Sequence, residues 1–180
     1  SKPKYFRKLN KVKYIYCDIR NKKDLKKKLD NYYDYIVNLS GYVDHSKKKT
    51  IIQTHLNGCK NLIKNFEIHR PKKFLQIGSS IEYGKNKSPQ KEKSLYKKDT
   101  KSVYGNAKLS ASLFLIRFFK KSNFPIVILR LYLVYGPKQD ENRIIPFVIK
   151  QSFKGNRFNC SPGKQFRDFT YIDDVVEAIY

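Results

Sequence analysis

Short apolar runs alternate with longer amphipathic stretches along most of the chain. Four of the runs are short and rich in β-branched or aromatic residues, which is typical of buried strands. Buried strands separated by helices of this length are typical of a parallel sheet with right-handed crossovers. The pattern therefore predicts an α/β fold with strands at residues 12–17, 35–39, 74–77 and 126–134, and helices at 24–29, 50–66 and 102–120.

The alternation of strand and helix changes after Pro146. Beyond it the pattern gives one more short strand, at residues 169–172, followed by a helix that Asp173 would cap. We therefore place a first domain at residues 1–146 and the start of a second region at residues 147–180.

Polar and glycine residues follow several of the predicted strands. Because ligands bind at the carboxyl ends of strands in open parallel sheets, these residues mark the expected ligand edge. They are Asp18, residues 38–41, Ser79 with Ser80, and residues 135–137.

Tyr104 and Lys108 stand one helical turn apart on the helix that follows Ser79, so both side chains lie on one side. A lysine ammonium beside a tyrosine hydroxyl favours the phenolate, and a lowered pKa suits a general acid/base at neutral pH. A serine at the strand end can donate a hydrogen bond to a substrate oxygen that gains charge. The pair alone means little, because Tyr83 and Lys87 repeat the spacing in a chain with 31 lysines.

Composition narrows the class of protein. No apolar run reaches the roughly 18 residues of a membrane span, and the basic N-terminal stretch has no apolar core of a secretory signal. Three widely spaced cysteines favour a reducing, cytoplasmic location over a disulfide scaffold. The three histidines share no zinc-ligand spacing with them, so we expect no metal site.

The net charge of +24 raises the possibility of nucleic-acid binding. The basic excess is mostly lysine, spread over every segment, and it accompanies many Asn, Ile, Tyr and Phe residues with no Trp. This profile is typical of an AT-rich genome, whereas a nucleic-acid interface would concentrate arginine and aromatic residues. We expect neither a nucleic-acid nor a membrane partner.

Seven segments in order make the chain similar to the extended short-chain dehydrogenase/reductase family, which contains nucleotide-sugar epimerases, dehydratases and reductases. The resemblance covers nearly all 180 residues and implies a Rossmann-type parallel sheet with helices on both faces. The segments are residues 17–19, 38–41, 57–62, 79–84, 104–108, 129–137 and 167–174.

The resemblance implies catalytic roles for three residues. Tyr104 would be the acid/base, and Lys108 would bind the nicotinamide ribose and lower the pKa of Tyr104. Ser79 matches the catalytic Ser/Thr position, with Ser80, one residue later, as the alternative on the substrate side. The implied partners are a nucleotide-diphosphate sugar and a second copy of the chain in a homodimer.

The resemblance also implies a cofactor, NAD, with NADP left open. Asp18 and the Ile19 backbone would hold its adenine, and Leu39 and Ser40 would line its ribose and phosphates. Arg167 would grip the substrate diphosphate through its bidentate fork. Two plainer explanations stay open: Asp18 could end a strand in a turn, and Arg167 could form a solvated ion pair with a neighbouring aspartate.

The chain departs from the family pattern at its N-terminal end. The family opens with a strand and a G-x-x-G-x-x-G turn that seats the pyrophosphate, and this sequence contains no such turn. We interpret the chain as a fragment that is incomplete at the N-terminus and in the substrate domain. In the strand order of the family sheet, the two missing strands would lie between the strand at residues 14–17 and the strand at residues 35–39. Without them the sheet has a gap, so we expect this piece alone to bind dinucleotide weakly or not at all.

The reaction type follows from the residues after Ser79. The family's 4,6-dehydratases carry an acidic pair there, whereas this chain has Ser80 and Ile81, with Glu82 one place later and expected to point elsewhere. Leu133 also replaces an asparagine that many relatives place near the substrate phosphates. Leu133 bears on the sugar-side contacts, whereas the missing acidic pair favours C4 epimerisation or 4-keto reduction by hydride transfer over dehydration. A catalytically silent dinucleotide-binding sensor is the alternative, and a basic nucleic-acid-binding protein ranks below it.

Overall fold

A computed structural model describes residues 8–42, 44, 46–94, 100 and 102–180. The described chain divides between Leu131 and Tyr132 into two compact units. The first is Lys13–Leu131, and the second is Tyr132–Tyr180 together with the described residues up to Val12. These units are defined by contacts, whereas the boundary after residue 146 concerns cofactor and substrate binding and stays a prediction.

A three-stranded parallel sheet forms the centre of the first unit. Its strands, β1 (Tyr35–Asn38), β2 (Lys73–Ser79) and β3 (Ile126–Leu131), lie side by side in that order. Val37 pairs with Leu75, and Gly78 pairs with Arg130. The predicted α/β fold with a parallel sheet is confirmed.

One α-helix precedes β1, and three more lie in the connections between the strands. They are α1 (Lys22–Lys28), α2 (Lys48–Ile52), α3 (Cys59–Asn65) and α4 (Val103–Ser122). A π-helical segment, Gln53–Gly58, joins α2 to α3, so the predicted helix at residues 50–66 is continuous but changes its winding in the middle. Asn21 caps α1 and Ser102 caps α4 through their side chains. α1 therefore starts two residues before the predicted residue 24, whereas α4 starts directly after Ser102, close to its predicted position.

The core of the first unit lies between these helices and the sheet. Phe74 of β2 is fully buried, and the half-buried Ile36, Ile126 and Ile128 pack against the same cluster. Val37 and Val127, at alternate positions, are more than a third exposed. The buried members of the cluster are Leu25, Cys59, Leu62, Ile63, Phe66, Phe74, Ala111, Leu115 and Phe124.

The predicted strand at residues 12–17 does not form, since this described segment belongs to no β-ladder. Its backbone groups bond to side chains instead of to a neighbouring strand. Lys28 Nζ donates to the Tyr16 carbonyl at 2.7 Å, and the Asp18 amide donates to Asp24 Oδ2 at 2.9 Å. Residues 12–17 have the apolar pattern of a strand, but none of the described strands pairs with them.

The predicted strand at residues 126–134 is divided in two. β3 ends at Leu131, and Leu133–Tyr135 form a separate strand, β4, in the second unit. β4 pairs in parallel with β5 (Phe169–Tyr171), and two helices, α5 (Ile144–Phe153) and α6 (Ile172–Ile179), complete the second unit. The apolar run from β3 to β4 is continuous in sequence, so only the pairing partners reveal the break.

The start of α6 corrects a second detail. Its N-cap is Tyr171, without a side-chain hydrogen bond, whereas the sequence predicted Asp173. Asp173 and Asp174 lie in the first helical turn, where their charges still favour the helix through its dipole. No helix in the described part of the chain combines the length and the apolarity needed to cross a membrane.

Candidate active site

Ser79 ends β2 and caps the 3₁₀ turn Ser80–Tyr83 that follows it. Its Oγ accepts a hydrogen bond from the Ile81 amide at 3.4 Å, and its own amide donates to Glu82 Oε1 at 2.8 Å. This reciprocal arrangement is a capping box. Because Oγ acts there as an acceptor, the hydroxyl proton stays available for a substrate oxygen. Ser79 and Ser80 are both half-buried.

Lys108 extends from α4 to the end of β2. Its Nζ donates to the Ile77 carbonyl at 2.8 Å, two residues before Ser79, and the residue is only 6% exposed. Burial lowers the pKa of Lys108, and the nearby Glu82 carboxylate opposes part of that shift. A cation thus lies inside the fold at the predicted ligand edge.

Tyr104 lies one turn before Lys108 on α4 and is half-buried. The Lys108 Nζ lies 6.0 Å from the centre of the Tyr104 ring. The structure therefore brings Tyr104 and Lys108 to the end of β2 that carries Ser79. Tyr83 and Lys87 differ: Tyr83 belongs to the 3₁₀ turn, and Lys87 lies beyond it in a non-helical segment.

The first turn of α4 is fixed by polar contacts just before Tyr104. The Asn106 side chain accepts hydrogen bonds from the amide and hydroxyl of Thr100, and Ser102 Oγ accepts from the Gly105 amide at 2.9 Å. A Cβ on Gly105 would lie 2.2 Å from Thr100 Oγ1. Because residue 105 is glycine, the Thr100 side chain can pack against the first turn of α4, which contains Tyr104.

His55 is a neighbour of Tyr104 that the sequence reasoning missed. Its ring meets the Tyr104 ring edge-on, with 5.1 Å between centres, and it is 5% exposed. His55 Nε2 lies 3.2 Å from both the amide nitrogen and the carbonyl oxygen of Tyr42. His55 belongs to the π-helical segment, and such segments occur frequently at functional sites.

Asn38 and Gln76 form a buried polar pair between β1 and β2. Asn38 Nδ2 donates to Gln76 Oε1 at 2.7 Å, and Gln76 Nε2 donates to the Ile77 carbonyl that also receives Lys108. Asn38 Oδ1 accepts from the Ser40 amide at 3.1 Å, which turns the chain after β1. Leu39 is 67% exposed at this turn. The predicted cofactor-binding residues Leu39 and Ser40 thus follow a buried network that starts at Lys108.

Asp18 lies in a turn before α1, about half-exposed. The Arg20 guanidinium grips its carboxylate with contacts of 2.7–3.0 Å, and this hydrogen bonding lowers the pKa of Asp18. Asn61 of α3 donates to the Ile19 carbonyl at 2.9 Å. Gly58 leaves room for Ile19, since a Cβ there would lie 2.4 Å from Ile19 Cδ1. Asp18 therefore lies in a turn, as the simpler structural explanation requires. Its proposed contact with adenine stays a prediction.

Arg167 lies in the second unit and is exposed. Its guanidinium donates to the Phe166 carbonyl at 3.1 Å and to Gln165 Oε1 at 3.4 Å. Within the described residues it forms no ion pair with Asp168 or Asp174. Its role toward a diphosphate stays a prediction. No group of three or more His, Cys, Asp or Glu residues that could hold a metal is found in the part of the chain that the structure covers.

Comparison with known proteins identifies the family of this chain. The sequence model of the NAD dependent epimerase/dehydratase family matches residues 1–180. The chain belongs to this family.

The relatives include both an epimerase and a dehydratase, the two reaction types in the family's name. The human dTDP-D-glucose 4,6-dehydratase is 32% identical over 141 residues, which is 76% of this chain and 40% of that protein. UDP-glucuronic acid 4-epimerase from Bacillus cereus, solved with UDP-glucuronic acid and NAD, is 28% identical with a TM-score of 0.72, covering 88% of this chain and 51% of that one. UDP-N-acetylglucosamine 4-epimerase from Methanobrevibacter ruminantium M1 is 28% identical with a TM-score of 0.75, covering 90% and 53%.

The structural similarity to these two epimerases shows that the chain has a Rossmann-type fold, as the resemblance implied. The chain spans 37–40% of the length of the first curated relatives and about half of the solved structures. The activity, substrates and partners of the whole protein are therefore matters for proposal.

Proposed function

We propose that this chain belongs to a nucleotide-sugar-modifying enzyme that epimerises C4 or reduces a 4-keto sugar by hydride transfer. The observation that supports it most is the buried Lys108 ammonium beside Tyr104, at the strand end that carries Ser79. A cation, a phenol and a serine hydroxyl at one strand end can exchange a proton with a sugar hydroxyl. Proton exchange is the part of such a reaction that the protein itself supplies.

Tyr104 would give or take the proton at the sugar oxygen. A lysine cation nearby stabilises the phenolate, which makes the proton easier to release at neutral pH. Ser79 would donate a hydrogen bond to the same oxygen and keep its proton, because its Oγ accepts from the Ile81 amide and its O–H is left to point at the substrate. The capping box holds that hydroxyl in one place, so little reorganisation is needed when charge develops.

The residues present fit parts of a nicotinamide dinucleotide, NAD or NADP. Asp18 and Ile19 would hold the adenine, Leu39 and Ser40 would line the adjoining ribose and phosphates, and Lys108 with Tyr104 would hold the nicotinamide ribose. The turn at Ser40 is held by Asn38 on a buried network, which gives that side of the cleft a fixed shape. The bound cofactor would supply the hydride. The sequence contains no G-x-x-G-x-x-G turn for the pyrophosphate.

Epimerisation or reduction is favoured over dehydration by the residues after Ser79. The positions of the dehydratase acidic pair hold Ser80 and Ile81. Glu82 is fully buried and both of its oxygens are engaged, one by the Ser79 amide and the other by Arg130. No carboxylate in this turn is left to remove a proton from the sugar. The substrate would be a nucleotide-diphosphate sugar, with Ser80 and Arg167 on its side, and the protein a homodimer.

Replacing Tyr104 by Phe tests this proposal in the complete gene product. We expect turnover of nucleotide-diphosphate sugars to fall by about 10²–10⁴-fold while cofactor binding changes little, because only the acid/base proton is removed. Tyr16→Phe, at an exposed tyrosine, is the matched control and should leave turnover unchanged.

Two results would contradict the proposal. Wild-type protein without turnover on any nucleotide-diphosphate sugar, but with dinucleotide binding that Tyr104→Phe leaves intact, would favour the silent sensor. A Tyr104→Phe variant as active as wild type would remove Tyr104 from the chemistry.

A further inference from the structure

Glu82 is a fully buried carboxylate next to the proposed active site, and the proposed acid/base steps do not use it. Its Oε1 accepts from the Ser79 amide at 2.8 Å, and its Oε2 accepts from Arg130 Nε at 3.0 Å. The carboxylate therefore links the serine at the end of β2 to a side chain of β3, 48 residues later.

Arg130 is buried with its partner, since its side chain is 8% exposed. The guanidinium lies 5.4 Å from the centre of the Tyr83 ring, and Nη1 donates to the Glu92 carbonyl at 3.4 Å. The guanidinium thus has three neighbours: the Glu82 carboxylate, the Tyr83 ring and the Glu92 carbonyl. A cation held in this way fixes the carboxylate in turn.

Gly78 provides the space for this pair. It is the direct β-sheet partner of Arg130, and a Cβ there would lie 2.8 Å from Glu82 Oε1 and 3.1 Å from Arg130 Cγ. Any larger residue would push the carboxylate away from the Ser79 amide. The glycine before Ser79 thus has a function beyond backbone freedom.

Glu82 also influences the charge of Lys108, another residue of the proposed active site. Its negative charge is the largest influence opposing the effect of burial on Lys108. Lys108 Nζ and Glu82 Oε1 bond to the backbone of β2 only two residues apart, at the Ile77 carbonyl and at the Ser79 amide. The carboxylate charge thus offsets part of the cost of burying the lysine charge.

We propose that Glu82, clamped by Arg130, is a positioning residue of the site: it fixes the Ser79 turn and supplies the counter-charge for Lys108. The inference rests on the proposed function, in which Ser79 and Lys108 serve the sugar and the cofactor. Glu82 does not exchange protons with the substrate, because both of its oxygens are bonded within the protein.

Buried ion pairs are expensive to desolvate, and apolar residues of similar size are often at least as stabilising. A pair kept only for stability could therefore be replaced as a unit without loss. This difference separates a positioning role from a structural one.

Three variants of the complete gene product test the proposal. Glu82→Gln keeps an acceptor for the Ser79 amide but removes the charge, and should lower kcat at least tenfold with KM for the nucleotide sugar within about threefold. Glu82→Leu/Arg130→Leu replaces the pair by apolar side chains and should fold as stably as wild type, yet remain at least tenfold low in kcat. Asp30→Asn breaks the exposed Lys13–Asp30 pair as the control and should change neither.

Recovery of kcat together with stability in the double variant would show that the pair is only structural and would overturn the proposal. The same outcome follows if Glu82→Gln has wild-type kcat.

A second measurement does not depend on turnover. Hydrogen exchange at the Ser79 amide should accelerate at least tenfold in the double variant and stay near the wild-type rate in Glu82→Gln, while the Leu75 amide is unchanged. Unaltered Ser79 exchange in the double variant overturns the inference whether or not the enzyme is active. If exchange at Ser79 accelerates in the double variant but the wild-type protein turns over no nucleotide sugar, the proposed function is rejected and the positioning of Ser79 by Glu82 stands.

Discussion

Lys108 illustrates how much a single residue of this fold depends on its surroundings. It is a lysine among 31, yet it is buried and bonded to the Ile77 carbonyl. Burial is the main cause that lowers its pKa, while the charges of Glu82 and Cys59 act in the opposite direction. A charged group kept in such a place costs stability, which is a common feature of functional sites.

This burial makes a prediction about pH. The folded pKa of Lys108 lies below its ordinary value of 10.5, so between the two values the unfolded chain binds a proton that the folded chain does not. The contribution of Lys108 to the free energy of unfolding should therefore rise with pH across that window. Lys108→Met should be about 1 kcal/mol more stable than wild type at pH 7, and this advantage should shrink toward pH 10.5.

Urea unfolding of both proteins from pH 7 to 10.5 measures this difference. Lys27→Met, at an exposed lysine of α1, is the control and should run parallel to wild type. A Lys108→Met curve that is also parallel to wild type would mean that Lys108 is solvated.

At the scale of elements, α3 and the π-helical segment before it shape the turn that contains Asp18. Asn61 bonds the carbonyls of Ile19 and Arg20, and Gly58 lies against the Ile19 side chain. α4 has a comparable relation to β2 through Lys108. The helices therefore position the candidate ligand edge as well as covering the core. The predicted homodimer would use the outer side of α4, where Phe119 is 46% exposed.

The contact between Gly58 and Ile19 can be tested by a double-mutant cycle. Gly58→Ala places a Cβ 2.4 Å from Ile19 Cδ1, so it should lower the free energy of unfolding by about 1–3 kcal/mol through overpacking. In an Ile19→Ala background the clash is absent, and the same change should be neutral or slightly stabilising, as alanine is in a helix. Denaturant unfolding of the four proteins gives the coupling. Equal effects of Gly58→Ala in both backgrounds would show that Ile19 is not the contact.

At the scale of the molecule, the charge of +24 is distributed rather than collected at one site. Lysines occur on five of the six described α-helices and on β2, and in α1 alone five of the seven residues are exposed lysines. Distributed charge attracts polyanions at low salt, but it provides no base-reading surface.

A gel shift with a 30-base-pair duplex tests this interpretation. We expect binding at low salt that disappears by about 200 mM salt, because counterion release alone supplies the affinity. A duplex lacking any sequence relation to the first should behave identically. Sequence-dependent retention above that salt concentration would revive the nucleic-acid alternative.

The sequence by itself determined the parallel α/β order and the placement of Tyr104 and Lys108 on one side of α4, because strand and helix periodicity and the i, i+4 spacing are local properties. It also contained a signal for Glu82 that went unused, since Ser79 and Glu82 have the spacing of a capping box. Other features left no local signal: the His55–Tyr104 contact, the missing strand at residues 12–17 and the break between Leu131 and Leu133.

The tertiary structure alone decided these, because each depends on partners far along the chain. Arg130 reaches Glu82 since the β2–β3 register places it opposite Gly78, and an apolar run becomes a strand only where a neighbouring edge accepts its hydrogen bonds.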